Sequence, residues 1–258
     1  MRTGLALVLF LTTSHLLAQS HFDGTWEMRM DTLEFSGPAE SYLIDKGMYH
    51  CLSCVPKVDV PTDGTDQRVA GHESFYDTIA VRIVDADSVD FAFKKNGKPA
   101  ATSIETVSAD GKTMEEKFSN TTEGDPVVGK AGFTRIRPGP PGAHALSGQW
   151  RMDTVRNTTT VGTLTTFKST PGGLEISDGM QTYAAKFDGN DYPIGRGGHA
   201  TIALKRIDEY TMEETDKRDG KVMTVAHITV SQDGKSMKVE TTDKQRGGTM
   251  TYTAEKRP

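Results

Sequence analysis

Cys51-Leu52-Ser53-Cys54 sets two thiols three residues apart with His50 just before the first, and the 258-residue chain has no other cysteine. Three chemistries use such a pair. As a disulfide it pins a loop between Met48 and Pro56, the usual fate of neighbouring thiols in an oxidising compartment. As a zinc site it would need His50 and His72 beside the two thiolates, yet no second Cys-x-x-Cys and no His-x-x-x-His accompanies it. As a redox centre the first thiol would need a helix N-terminus to lower its pKa, and Val55-Pro56-Lys57-Val58 reads as extended chain. Covalent haem attachment requires His directly after the second cysteine, where Val55 stands. The disulfide is the expectation, with no metal and no cofactor.

Glu105 and Glu116 form the second constellation, because they flank Asp110-Gly111 symmetrically. A hairpin closed there sets them opposite each other on one face, Cβ atoms ~4.5 to 5.5 Å apart; a bulge after the turn would put Glu115 opposite Glu105 instead. A solvent-facing pair is the default, since unpaired buried acids are costly. If the face lines a cavity, one of the two keeps its proton near neutral pH. Asp59, Asp63 and Asp66 around Pro61 lack the ligand spacing of a calcium loop and read as a turn. His21, His144, His199 and His227 stand at no nucleophile motif, and neither Gly-x-Ser-x-Gly nor His-Glu-x-x-His occurs. No catalytic residue is nominated. Asn120-Thr121-Thr122 and Asn157-Thr158-Thr159 match the glycosylation acceptor, which matters only in a eukaryotic secretory host.

These residues must be held by strands. Thirty-three threonines and 26 glycines favour strands and turns over helices. Arg2, the apolar run Leu5 to Leu11 and the exit Ala18-Gln19-Ser20 read as a signal peptide over residues 1–20. Its removal leaves 35 acidic against 29 basic residues, an acidic balance that supplies no patch for nucleic acid. No later segment resembles a membrane span, so the expectation is a soluble protein exported to the periplasm or the exterior.

Self-similarity organises the remainder. Thr78–Glu115 aligns without gaps on Thr201–Lys238, with 14 of 38 positions identical, so that Asn96-Gly97-Lys98 falls on Asp219-Gly220-Lys221 and Asp110-Gly111-Lys112 on Asp233-Gly234-Lys235. In this register Glu105 and Glu116 fall on Ile228 and Val239, and His227 on Ile104. Each half opens on Gly-x-Trp, as Gly24-Thr25-Trp26 and Gly148-Gln149-Trp150. Arg137 to His144, rich in Pro and Gly, breaks any helix or central strand. The reading is a first domain over 21–137, a linker over 138–146 and a second domain over 147–258. The cysteine segment is an insertion of about six residues that the second half lacks. Period-2 runs between Gly, Asp and Asn turns make each half all-β and antiparallel, with sandwich and closed barrel both open on pattern alone.

Gly-x-Trp on the first strand of an exported all-β domain resembles the opening of lipocalins and related calycin barrels, and the whole mature chain is similar to uncharacterised bacterial exported proteins with repeated lipocalin-like domains. The resemblance implies two consecutive antiparallel lipocalin-like β-barrels. It also implies that Trp26 and Trp150 close the narrow ends, with Arg135 packing across the indole in the first half and Lys256 or Arg257 in the second. The family's Thr-Asp-Tyr signature is missing from its expected place; Asn190-Asp191-Tyr192 is similar but early. The function this implies is uptake of a small, mostly apolar ligand. The competing readings are an envelope or surface module with filled barrels that meets a protein or glycan and, third, an enzyme using acids inside the first barrel.

Overall fold

The computed structural model describes residues 20–71, 76–121, 126–157, 163–179, 181–195 and 199–258. Residues 1–19 of the signal-peptide reading over 1–20, and His72, Thr122, Thr158 and Thr159, lie outside the described residues.

Twenty strands and no helix are described. In chain order they are β1 (Gly24–Ser36), β2 (Glu40–Asp45), β3 (Met48–Cys51), β4 (Val58–Pro61), β5 (Gln67–Arg68), β6 (Thr78–Ile83), β7 (Ser88–Lys95), β8 (Lys98–Val107), β9 (Thr113–Asn120) and β10 (Val127–Pro138). The second ten are β11 (Gly148–Asn157), β12 (Leu164–Thr170), β13 (Gly173–Ser177), β14 (Thr182–Lys186), β15 (Tyr192–Ile194), β16 (Ala200–Arg206), β17 (Thr211–Arg218), β18 (Lys221–Val230), β19 (Ser236–Asp243) and β20 (Thr249–Lys256). They form two nearly closed antiparallel barrels of ten strands each. The edges left by incomplete closure are short: β5 has two residues, β15 three, β4 four and β14 five, which limits the unpaired backbone offered to another chain.

The turn chemistry explains why the halves repeat. Asn96-Gly97 and Asp219-Gly220 both hold two consecutive residues at positive φ, 52° and 75° in one and 49° and 76° in the other, the backbone of a two-residue hairpin whose twist matches its strands. A bulge precedes each turn at matching places, after Phe93 and after Asp216. The Asp110-Gly111 and Asp233-Gly234 loops are wider: Ser108 N–H donates to Thr113 O and Ser231 N–H to Ser236 O, so four residues form each loop, yet the register is the one a tight turn implies.

The sheets do not divide at the Pro/Gly segment. The order of one sheet is β14-β13-β12-β1-β20-β19-β18-β17-β16-β15, and of the other β4-β3-β2-β11-β10-β9-β8-β7-β6-β5. The first strand of each half therefore lies in the other half's sheet. The first barrel runs continuously from β2 to β11, and the second consists of β12 to β20 closed by β1. The cause is local: β11 follows β10 as a hairpin neighbour, taking the place next to β2 that β1 would otherwise occupy. β1 then crosses at Gly37-Pro38-Ala39, where Gly37 lies so close to Gly248 that an added Cβ would stand 3.0 Å from its Cα.

The exchange re-pairs the tryptophans and their cations. Arg135 does not lie across Trp26; its guanidinium sits 3.9 Å from the Trp150 ring centroid, and the Lys256 ammonium lies 5.1 Å from that of Trp26. Both indoles are buried at the base of a core. Trp26 Nε1 donates to Phe22 O and Trp150 Nε1 to Leu146 O, satisfying the one polar atom each ring carries. Arg257 instead pairs with Glu27 at 2.6 Å. The 138–146 segment is fastened, since Arg135 donates to Ser147 O and Ala145 O and His144 N–H to Ile44 O.

Candidate functional site

Alternation along the strands decides what faces each interior. In the first barrel the inward face carries Val89 and Phe91 on β7, Val107 on β8, Met114 on β9 and Ala131 and Phe133 on β10, an apolar bed above Leu146 and Trp150. Glu105 and Glu116 share this inward parity. They are direct cross-strand partners, so the alternative pairing with Glu115 is not adopted. The expectation that the pair faces solvent is corrected for the same reason: Glu105 lies between inward Ser103 and Val107 and is only 8% exposed.

Burial holds the Glu105 carboxyl well above the ordinary range, and the nearby charges of Glu116 and Glu40 push it the same way. Glu116 is raised by burial too, against a hydrogen bond with Ser103 that lowers it. The Glu105 Oε2 atom is buried with no hydrogen-bond partner among the described residues. Aromatic rings stand beside these acids in a connected series: Tyr42 to Tyr49 at 6.0 Å between centroids, Tyr49 edge-on to Phe91 at 5.2 Å, Phe91 stacked on Phe93 at 6.4 Å, and Tyr76 against Phe93 at 4.9 Å. Burial, and then the charge of Glu105, raises the hydroxyl pKa of Tyr42 and Tyr49.

The cysteine segment serves this end of the barrel. Cys51 and Cys54 are disulfide-bonded, which removes the thiolates that zinc would need. The loop they close presents Ser53, whose hydroxyl donates to Glu40 Oε2 at 3.0 Å and accepts from Ser41 N–H. The other oxygen of Glu40 meets Arg246, which reaches over from the loop after β19, at 2.8 Å. His50 pairs with Asp59 at 2.5 Å. Among the described residues no three His, Cys, Asp or Glu side chains converge closely enough to hold a metal ion. Asp59, Asp63 and Asp66 go separate ways: Asp63 caps Thr65 and Asp66 meets Lys94. His227 sits on the outer face beside Glu213, half exposed.

The second barrel holds a carboxylate pair that no sequence motif marks. Glu214 and Asp216 on β17 point inward above Ile202, Leu204 and Met212. Burial, with Asp216 and Asp178 nearby, pushes Glu214 up to about 8. Asp216 is raised by burial and accepts a hydrogen bond from Thr224 at 2.7 Å. Tyr252 is pushed up to about 12 by burial and by Glu214, and Tyr183 higher still. The signal was in the repeat: Glu214 and Asp216 align with Phe91 and Phe93, just as Glu105 and Glu116 align with Ile228 and Val239. Each barrel thus sets two acids where its sister has two apolar side chains, on different strands.

Two concavities bear on access. A crevice of about 270 Å³ between the barrels is bounded by the Gly37-Pro38 crossover, Trp150, Met152 and Arg246; Glu40 of the first barrel and Thr224 of the second both line it. A groove of about 620 Å³ lies on the outer face of β6 to β10, with Ala80, Ala92, Ile104 and Val128 as its floor and Arg82, Asp90, Lys117 and Lys130 around it.

Fold and site together define an all-β protein of two antiparallel barrels with polar groups enclosed among apolar walls. Comparison with known protein families, with characterised proteins and with solved structures finds no match.

Proposed function

We propose that this is an exported, lipocalin-like binding protein that takes a small, mostly apolar molecule into a barrel interior. The observation that carries the reading is the first barrel's inward face: an apolar and aromatic wall ending in Glu105, a buried carboxyl with an unoccupied acceptor. Apolar surface with a few convergent polar groups is the usual make-up of a small-molecule site, and a buried acceptor without a partner costs stability that a ligand donor would restore. The Cys51–Cys54 bond fits an oxidising compartment, and no helix among the described residues is long and apolar enough to cross a membrane. Trp26, Trp150, Arg135 and Lys256 serve as closures of the narrow ends in this reading.

Native mass spectrometry of protein purified without detergent tests it. A stoichiometric adduct of a few hundred daltons is expected; a bare protein mass together with no uptake of added apolar compounds would refute it. The outer groove favours a second reading, a surface module that meets a protein or glycan. That reading predicts that substituting Ile104 or Val128 abolishes partner binding, whereas substituting Val89 or Val107 on the inward side leaves it intact.

A further inference from the structure

We infer that the first barrel selects a ligand bearing a protonated amine, held by Glu105 and Glu116 against the rings of Tyr42 and Tyr49. The inference deepens the binding reading above and rests on it. Three observations at one place carry it. The pair Glu105 and Glu116 is matched across β8 and β9, with Ser103 the only described side chain that relieves it. Glu105 Oε2 is enclosed and lacks a donor. The aromatic series from Tyr42 to Phe93 runs beside the acids.

An ammonium group answers all three. It brings three N–H donors to a site rich in acceptors, its charge offsets that of the carboxylates, and ring faces attract it electrostatically. A carboxylate or phosphate ligand would set its own negative charge against Glu105 and Glu116, which already oppose one another. A metal ion would need converging ligands that the described residues do not provide. A neutral apolar ligand would fill the bed but leave Oε2 without a partner. Glu40 is already engaged by Ser53 and Arg246, so the selective charge falls on Glu105 and Glu116.

The test uses the full chain and three probes of equal length: n-hexylammonium, n-hexanol and hexanoate, titrated by calorimetry near pH 7.5. Hexylammonium is expected to bind at least tenfold more tightly than hexanol, with hexanoate weakest. Glu105→Gln should abolish that tenfold preference. Glu116→Gln is the second variant, should the first fail to fold, and is expected to reduce the preference in the same direction. Equal affinity for hexylammonium and hexanol, unchanged in either variant, would overturn the amine inference while leaving barrel binding in place. No binding of any probe, with a bare mass in native spectrometry, would overturn both. Displacement of hexylammonium by calcium at millimolar concentration would also overturn it, in favour of a metal site.

Discussion

A single cut in the Pro/Gly segment tests the exchange of first strands. A protease site inserted between Pro141 and Gly142, both exposed, separates β1 to β10 from β11 to β20. If each half closed its own barrel, the fragments would part. In the exchanged arrangement β1 remains matched to four residues of β12 and seven of β20, and β11 to nine of β10 and three of β2. Trp26 is 1% exposed and Trp150 0%; an indole buries about 200 Å², so the two contribute about 10 kcal/mol at about 25 cal/mol per Å². Phe22 and Leu146, equally buried, add about 5. Roughly twenty ladder bonds at about 0.5 kcal/mol each add about 10 more. Association costs up to about 15, which leaves about 10 kcal/mol and a dissociation constant below about 1 μM. Gel filtration of the cleaved protein near that concentration should give one peak at the uncut volume, with unchanged circular dichroism. Two separate, folded fragments would refute the strand exchange.

Other expectations follow from the same contacts. Between pH 5 and 8 stability should fall as pH rises, because the unfolded chain ionises its glutamates near 4.5 while Glu105 stays protonated well above that and Glu214 up to about 8; each group held protonated gives a slope of up to about 1.4 kcal/mol per pH unit. Urea midpoints for Glu105→Gln and Glu214→Gln should lie above wild type at pH 8 and converge on it near pH 5; parallel curves would contradict the buried placement. Arg135→Ala should cost about 2 to 3 kcal/mol in urea unfolding, since the guanidinium serves two carbonyls of the 145–147 segment, Gly111 O and the Trp150 face. Lys256→Ala, which removes only a cation over Trp26, should cost about 0.5 to 1. Removing both cysteines should cost about 2 kcal/mol from loop closure. It should also free Ser53 from Glu40, seen as faster amide exchange at Ser41.

Much of the barrel pattern was legible in the sequence because it rests on local rules. Asn96-Gly97 and Asp219-Gly220 encode their hairpins, and the symmetry about Asp110-Gly111 encodes the facing of Glu105 and Glu116. The cysteine spacing encodes its disulfide. The exchange of β1 and β11 was not legible, because Gly24-Thr25-Trp26 and Gly148-Gln149-Trp150 carry nearly the same pattern and either strand fits either slot. Only the shortness of the 138–148 connection, which makes β11 the hairpin neighbour of β10, decides between them. The burial of the acids was not legible for a different reason. Strand parity puts Glu105 on the face of Val107, but a rule that buried acids are costly argues for solvent, and the enclosing partners Glu40, Tyr42 and Tyr49 come from strands distant in sequence. The Glu214 and Asp216 pair stands opposite Phe91 and Phe93 in the aligned halves, but two acids in alternation on one strand read equally well as a solvent-facing stripe until the partner strands that enclose them are placed.

The most direct measurement is a set of nuclear Overhauser contacts between a bound n-hexyl probe and the side chains of β6 to β10, because alternate residues of the same strands line the interior and the outer groove. Uptake into the barrel predicts contacts to Val89, Val107, Met114 and Phe133, whereas contacts confined to Ala80, Ala92, Ile104 and Val128 would contradict it.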